Sequence, residues 1–429
     1  MTSLFRATTG LALLTVAASS LSAQQTVERR IAGAPAGNVT FHFASRADVC
    51  GDGRTYLRAD DMWMGSFNDG VRSMECQRGP IRVLLTRDGS EIIRISTFAG
   101  PVVEEPGATN LGAVPAADAA AWLLGIAASI DGRPGREAIM PAALADSARV
   151  TRELLAIARN VDRSRELRRS ALSWVVRRRG EVGELSGEEV SRTLVAIARD
   201  ENEVRTVRDQ ALSSLSRLES GASLDALVAM TTGTTEAWLA RRAIESMASS
   251  GDPRAREHLR SAAENSNLNE EARAAAINGL AGSYATSRDA EYLRTLYTRV
   301  TSNRLRDAIV NGVATIGGKA SRDWVVGIAR DPNAPIQQRK RSIAMAEKLG
   351  LSATELVSLY DTIEDNEVRA TLISQLATNG TKVAQDKLLS IAKSDALLAN
   401  RRRAIQALGR FDDPRVKEAL KDLVGASRG

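Results

Sequence analysis

The chain has 429 residues, of which 43% are apolar, 26% charged and only 4% aromatic. That apolar share supports packed cores and excludes a disordered polymer, and the length allows two or three domains. The formal net charge of +6 is mild for a chain of this size, and two histidines with two cysteines leave almost no material for an imidazole triad or a zinc site.

The amino terminus, "MTSLFRATTGLALLTVAASSLSAQQ", carries Arg6, an apolar run from Gly10 to Ala18, and small residues ending at Leu21-Ser22-Ala23 before Gln24. This is the pattern of a secretory signal with an A-x-A-like cleavage site, so residues 1–23 are expected to be removed. The apolar run is too short to cross a hydrocarbon layer of ~30 Å. The mature chain is therefore expected to be exported, periplasmic or secreted, with no transmembrane segment. In an oxidising compartment Cys50 and Cys76, which lie in one short segment, are expected to form a disulfide.

Residues 24–102 read as a small β-rich domain. In "NVTFHF" (38–43), Val39, Phe41 and Phe43 alternate with Thr40 and His42, which gives a strand one apolar face. "PIRVLLTRDGSEIIRISTF" holds two β-rich runs around Asp88-Gly89, a hairpin signal. Asp48, Asp52, Asp60, Asp61 and Asp69 gather around "VCGDGRTYLRADDMW". A calcium site needs several such oxygens, but the spacing fits no calcium loop, and aspartates beside glycines are ordinary turn formers. No metal and no cofactor are expected. Residues 103–115 read as a linker.

From 116 to 429 one phrase recurs: "LLAIARN" at 154–160, "LVAIARD" at 194–200, "VVGIARD" at 325–331 and "LLSIAKS" at 388–394. Its apolar residues fall at i, i+3 and i+4, and a second helical run such as "RELRRSALSWVV" follows each time. Aligned units put Leu123, Leu154, Leu194, Leu227, Leu259, Leu296, Val325, Leu356, Leu388 and Leu420 at equivalent positions. The spacing is about 32 residues, a period in the range that marks stacked helix pairs. Start signals agree. Asp252-Pro253 and Asp413-Pro414 are expected N-caps followed by Pro at the first helical position, and Ser186/Glu189 and Ser352/Glu355 are capping boxes.

The openings "GDPRAREHL" (251–259) and "DDPRVKEAL" (412–420), the helix-pair length and an Arg early in each second helix resemble HEAT repeats, in particular the short type of the phycobilisome lyases. The resemblance covers about residues 116–429. It implies a mainly α fold: a right-handed α-solenoid of about nine helix pairs plus a terminal helix, with second helices lining the concave face, preceded here by the small disulfide-containing β domain.

Two arginine features follow. Arg136, Arg168, Arg208, Arg241, Arg273, Arg306, Arg339, Arg369 and Arg401 occupy one repeat position. They read either as a basic stripe or as an internal ladder in which each guanidinium meets an acid or a backbone carbonyl of the preceding turn, as Asp200 precedes Arg208 and Asp331 precedes Arg339. The ladder is preferred, because the resemblance implies structural Asp and Arg partners at this position. Separately, Arg163, Arg165, Arg169, Arg177, Arg178 and Arg179 form a dense cluster around an insertion in the period. It could meet an anionic surface such as lipid headgroups, although Asp162 and Glu166 dilute it and a solvated charged face is the plainer reading. Nucleic acid is not expected, since few aromatics interleave with the arginines.

No G-x-S-x-G, H-E-x-x-H or C-x-x-C motif is present, and "IGGKAS" (316–321) lacks the first Gly of a phosphate loop, where Val313 stands, and its hydroxyl, replaced by Ala320. The expectation is an exported, non-enzymatic scaffold that binds a protein or peptide along the concave face of the solenoid. The rival is an enzyme or a small-ligand or metal-binding protein with a site where the β domain meets the first repeats, using Asp48, Asp52 or His42.

Overall fold

A computed structural model describes residues 27–60, 62–65, 76–177, 185–218, 221–232 and 236–425. The expected signal peptide, Asp61, Asp69, Arg178 and Arg179 lie outside the described residues. The chain falls into two compact units, 1–226 and 227–429.

The first unit opens with a short helix, α1, over residues 27–32. A four-stranded sheet follows in the order β7-β6-β1-β8, formed by β1 (Val39–Phe43), β6 (Ile81–Asp88), β7 (Glu91–Ala99) and β8 (Thr109–Ala113). The alternation in β1 places Val39, Phe41 and Phe43 in the core. Arg87 on β6 is buried, and its guanidinium donates to the carbonyls of Ile31, Ala34 and Pro35, which fixes the end of α1 against the sheet. The β6–β7 hairpin closes with Asp88 opposite Glu91, so its two-residue turn is Gly89-Ser90, one position later than Asp88-Gly89 suggests. Gly89 takes φ +58°, the left-handed conformation such a turn requires.

The second sheet, in the order β4-β3-β2-β5, is antiparallel throughout and built from β2 (Cys50–Gly51), β3 (Tyr56–Ala59), β4 (Met62–Gly65) and β5 (Gln77–Arg78). The Cys50–Cys76 disulfide ties β2 to the residue before β5.

The stretch 103–115, expected as a linker, contains β8, which pairs in parallel with β1 and leads directly into the first long helix. The β region also packs on that helix and its partner. Phe41 meets Trp122 edge-on at 5.9 Å, the amide of Ile95 donates to Glu137 at 2.8 Å, and the amides of Arg46 and Asp146 donate to the carbonyls of Leu144 and Ala44. It is therefore part of a larger unit whose core it shares with the first repeats.

In this unit the helices pair as α2 (Ala116–Ser129) with α3 (Arg133–Leu144), α4 (Thr151–Arg159) with α5 (Arg165–Val175), and α6 (Gly187–Arg199) with α7 (Arg205–Arg217). Second helices α3, α5 and α7 stack in succession. Helix α8 (Gly221–Thr232) spans the boundary between the units.

The second unit continues with α9 (Ala237–Ala248), α10 (Ala255–Glu264), α11 (Glu270–Leu280), α12 (Ser287–Arg299), α13 (Asn303–Ile316), α14 (Lys319–Arg330), α15 (Ile336–Ala344), α16 (Ala353–Thr362), α17 (Asn366–Asn379), α18 (Lys382–Ser394), α19 (Leu398–Leu408) and α20 (Pro414–Gly425). Here α9, α11, α13, α15, α17 and α19 form one row, each packed on the next. Helix pairs stacked in this way, preceded by the disulfide-bearing β region, make the fold a mainly α, solenoid-like arrangement.

The repeat anchors from Leu123 to Leu388 all lie on first helices of the pairs and are buried. Both capping boxes form, with the Ser186 and Ser352 side chains accepting from the amides of Glu189 and Glu355. Asp413 precedes Pro414 at the start of α20, as the sequence suggests. Asp252-Pro253 behaves differently: Asp252 accepts the amide of Arg254 at 2.8 Å and caps a turn, and α10 begins two residues later, at Ala255. Gly317 and Gly318 of "IGGKAS" adopt φ of +74° and +82° in the turn between α13 and α14.

Candidate functional site

The arginine column sits early in the second helices, from Arg136 in α3 to Arg401 in α19. In six repeats its Nε donates to a carbonyl at the end of the preceding helix. Arg168 meets Ala158 at 2.9 Å, Arg208 meets Ala198 at 2.9 Å, Arg273 meets Ala263 at 3.0 Å and Arg339 meets Ala329 at 3.3 Å. Where the connection is shorter, Arg306 reaches Val300 at 2.9 Å and Arg369 reaches Ile363 at 2.6 Å, and each guanidinium also lies over a tyrosine, Tyr297 or Tyr360. These carbonyls are among the last of their helices and have no partner within them, so a cation there satisfies both the hydrogen bond and the helix dipole.

The acids proposed as alternative acceptors do another job. Asp200 and Asp331 accept the amides of Asn202 and Asn333 and shape the turn. Arg241 differs from the six and pairs with Glu245 along its own helix. Arg136 makes no ion pair among the described residues, although its charge reaches Glu166.

The arginine cluster divides. Arg163 donates to the Ser129 carbonyl at 3.2 Å with Asp131 at 3.8 Å, and Arg165 pairs with Glu166 at 2.7 Å. Arg169 is exposed, and Arg177 is half-buried with its guanidinium over the ring of Trp174 at 5.5 Å. Burial, reinforced by the nearby charge of Arg217, pushes the Arg177 guanidinium below its ordinary pKa.

Asp48, Asp52 and His42 do not converge on a site. Asp52 accepts the amides of Arg54, Thr55 and Tyr56 and the Thr55 hydroxyl, closing the turn between β2 and β3. Asp48 and Asp60 share Arg46 at 3.0 Å each. His42 stands on β1 opposite Arg82. Among the described residues no group of three His, Cys, Asp or Glu is arranged to hold a metal ion.

Two grooves stand out instead. In the second unit a groove of about 570 Å³ runs between α17 and α19 beside α15. Its walls carry Lys340, Thr371, Ser374, Arg403, Gln406 and Arg410. Lys340 is paired with Glu367 at 3.0 Å, whereas Arg403 and Arg410 are exposed and make no ion pair among the described residues. In the first unit a groove of about 360 Å³ lies where β4 faces α3 and α5. Met62, Met64, Met140 and Trp174 line it with Arg136 and Arg177. This groove lies where the β region meets the first repeats, and Asp48, Asp52 and His42 are not among its lining residues. Neither groove is legible in the sequence, because each draws side chains from three elements far apart in the chain; the alternating methionines of "MWMG" (62–65) are the only local trace.

Among the described residues no helix is long and apolar enough to cross a membrane. The HEAT-repeat family model matches residues 353–428. No curated protein matches the chain. Solved structures similar to it include human deoxyhypusine hydroxylase in complex with glycerol, at 15% identity and a TM-score of 0.28 over 56% of this chain and 96% of that one. The complex of CpcE and CpcF of phycocyanin lyase from a Nostoc species gives 17% identity and a TM-score of 0.29 over 57% of this chain and 97% of that one. Kap121p bound to Pho4p gives 12% identity and a TM-score of 0.37 over 72% of this chain and 43% of that one. The matched stretch includes helices α16 to α20.

Proposed function

We propose that the chain is an exported, non-catalytic scaffold that binds a protein partner along the exposed face of its second helices, with an acidic segment seated between α17 and α19. The observation that carries this reading is the groove there. Consecutive second helices bury their apolar stripes against their partners and leave a polar trough whose exposed cations, Arg403 and Arg410, make no ion pair among the described residues. An acidic segment would meet both complementary charge and the hydroxyl and amide groups of Thr371, Ser374 and Gln406.

Export is supported by the signal-like amino terminus and by the Cys50–Cys76 disulfide, a bond that persists in oxidising compartments. Affinity capture from the native envelope fraction tests the reading. The mature chain, beginning at Gln24, retains an acidic protein that the Arg403→Glu/Arg410→Glu double variant releases. Equal capture by both forms contradicts it.

A further inference from the structure

The groove in the first unit has a different chemistry. On β4, Met62 and Met64 are half-buried while Trp63 and Gly65 are exposed, so the strand turns its two thioethers to one side. Met140 of α3 and Trp174 of α5 join them in lining the groove. Thioethers and an indole form a soft, adaptable apolar surface suited to a flexible hydrocarbon.

The charges of the groove are unbalanced. Glu137 is already engaged, accepting from Arg133 at 2.7 Å and from the Ile95 amide at 2.8 Å. Arg136 and Arg177 have no carboxylate within ion-pair distance among the described residues, although both line the groove. Arg177 is half-buried over Trp174, with Asp60 acting on it only at a distance and no ion pair among the described residues. Glu137 on the same wall is held by Arg133, so Arg136 and Arg177 are the charges the groove offers to an anion.

We propose that this groove binds a small carboxylate carried on an apolar chain. Arg136 and Arg177 take the carboxylate, for which the guanidinium fork is shaped, and Met62, Met64, Met140 and Trp174 cover the chain. The volume of about 360 Å³ falls at the small end of ligand sites. This activity is separate from partner binding between α17 and α19 and stands or falls without it.

The test is calorimetric titration of the mature chain with decanoate, with decanol as the uncharged control. Decanoate binds as a single molecule per chain, decanol binds about tenfold more weakly or worse, and Arg136→Gln and Arg177→Gln each weaken decanoate about tenfold. Arg136→Lys, which keeps the charge without the fork, loses less. A brominated decanoate quenches indole fluorescence in the wild type and much less in Trp174→Phe, which places the chain in this groove. Neither arginine side chain makes a hydrogen bond among the described residues, so unchanged circular dichroism of the variants is expected. Absence of binding, equal affinity for decanol, or arginine variants that bind normally while folded overturns the proposal.

Discussion

The Nε of Arg168 donates to the carbonyl of Ala158 at 2.9 Å, and the same guanidinium grips Glu203 from the next connection. The first bond closes the end of α4 within its own repeat. The second ties that repeat to the following one. Both side chains of the ion pair are almost fully buried, so each offsets the hydration the other has lost. Arg273 makes the first bond, to Ala263, and no counterpart of the second among the described residues.

That difference predicts unequal costs. Arg168→Met strands the buried carboxylate of Glu203 and is expected to destabilise the first unit by about 3–5 kcal/mol. Arg273→Met leaves one carbonyl unsatisfied and is expected to cost about 1–3 kcal/mol. Urea unfolding followed by circular dichroism, with hydrogen exchange to assign the transition, compares them. Equal small costs would mean that the ladder contributes side-chain packing only.

Acid should loosen both units in one window. Asp52 is raised by partial burial, but the hydrogen bonds from Thr55, Arg54 and Tyr56 outweigh this and hold its carboxyl at about 2. Asp289 is buried, which raises its pKa, and the bonds from Thr286, Arg256 and Arg260 more than reverse that. Both groups titrate lower folded than unfolded, so their contribution is present above the unfolded carboxylate value of about 4 and is lost as the pH falls through the folded value, about 2 for Asp52. Thermal melts between pH 6 and 2 should show the loss. Asp52→Asn should flatten that dependence for the β region, and Asp289→Asn for the second unit.

The disulfide closes a loop with a sequence separation of 26. Cys50→Ser/Cys76→Ser is expected to destabilise the β2–β3–β5 region by about 3 kcal/mol through the unfolded chain. Hydrogen exchange should quicken at Cys50, Gly51 and Tyr56 to Ala59 while α9 to α19 keep their protection. Unchanged exchange in the β region would show that packing on α2 and α3 alone holds it.

The repeat architecture was legible because each helix pair must bury the same stripe against its neighbours, which forces Leu or Val back to one position from Leu123 to Leu388. Caps were legible where the whole signal is local, as in Ser186/Glu189 and Ser352/Glu355. Strand β8 was not. "TNLGA" has no alternation and becomes a strand only because β1 offers it a free edge. The Arg column was visible, but its acceptors were not: backbone carbonyls carry no sequence letter, and the nearby Asp200 and Asp331 drew attention to side chains occupied elsewhere. Grooves are the least visible of all, since Met64 and Trp174, or Lys340 and Arg403, become neighbours only through tertiary packing.

The central claim is that partners are held by the second-helix face, and site-specific photo-crosslinking tests it most directly. A photoreactive residue at Ser374, inside the α17–α19 groove, is compared with one at Val383, exposed on first helix α18. The account predicts that Ser374 yields one dominant adduct with an acidic protein in the envelope, lost on adding Arg403→Glu/Arg410→Glu, and that Val383 yields none. Adducts at Val383 alone, equal adducts at both positions, or none at either would contradict it.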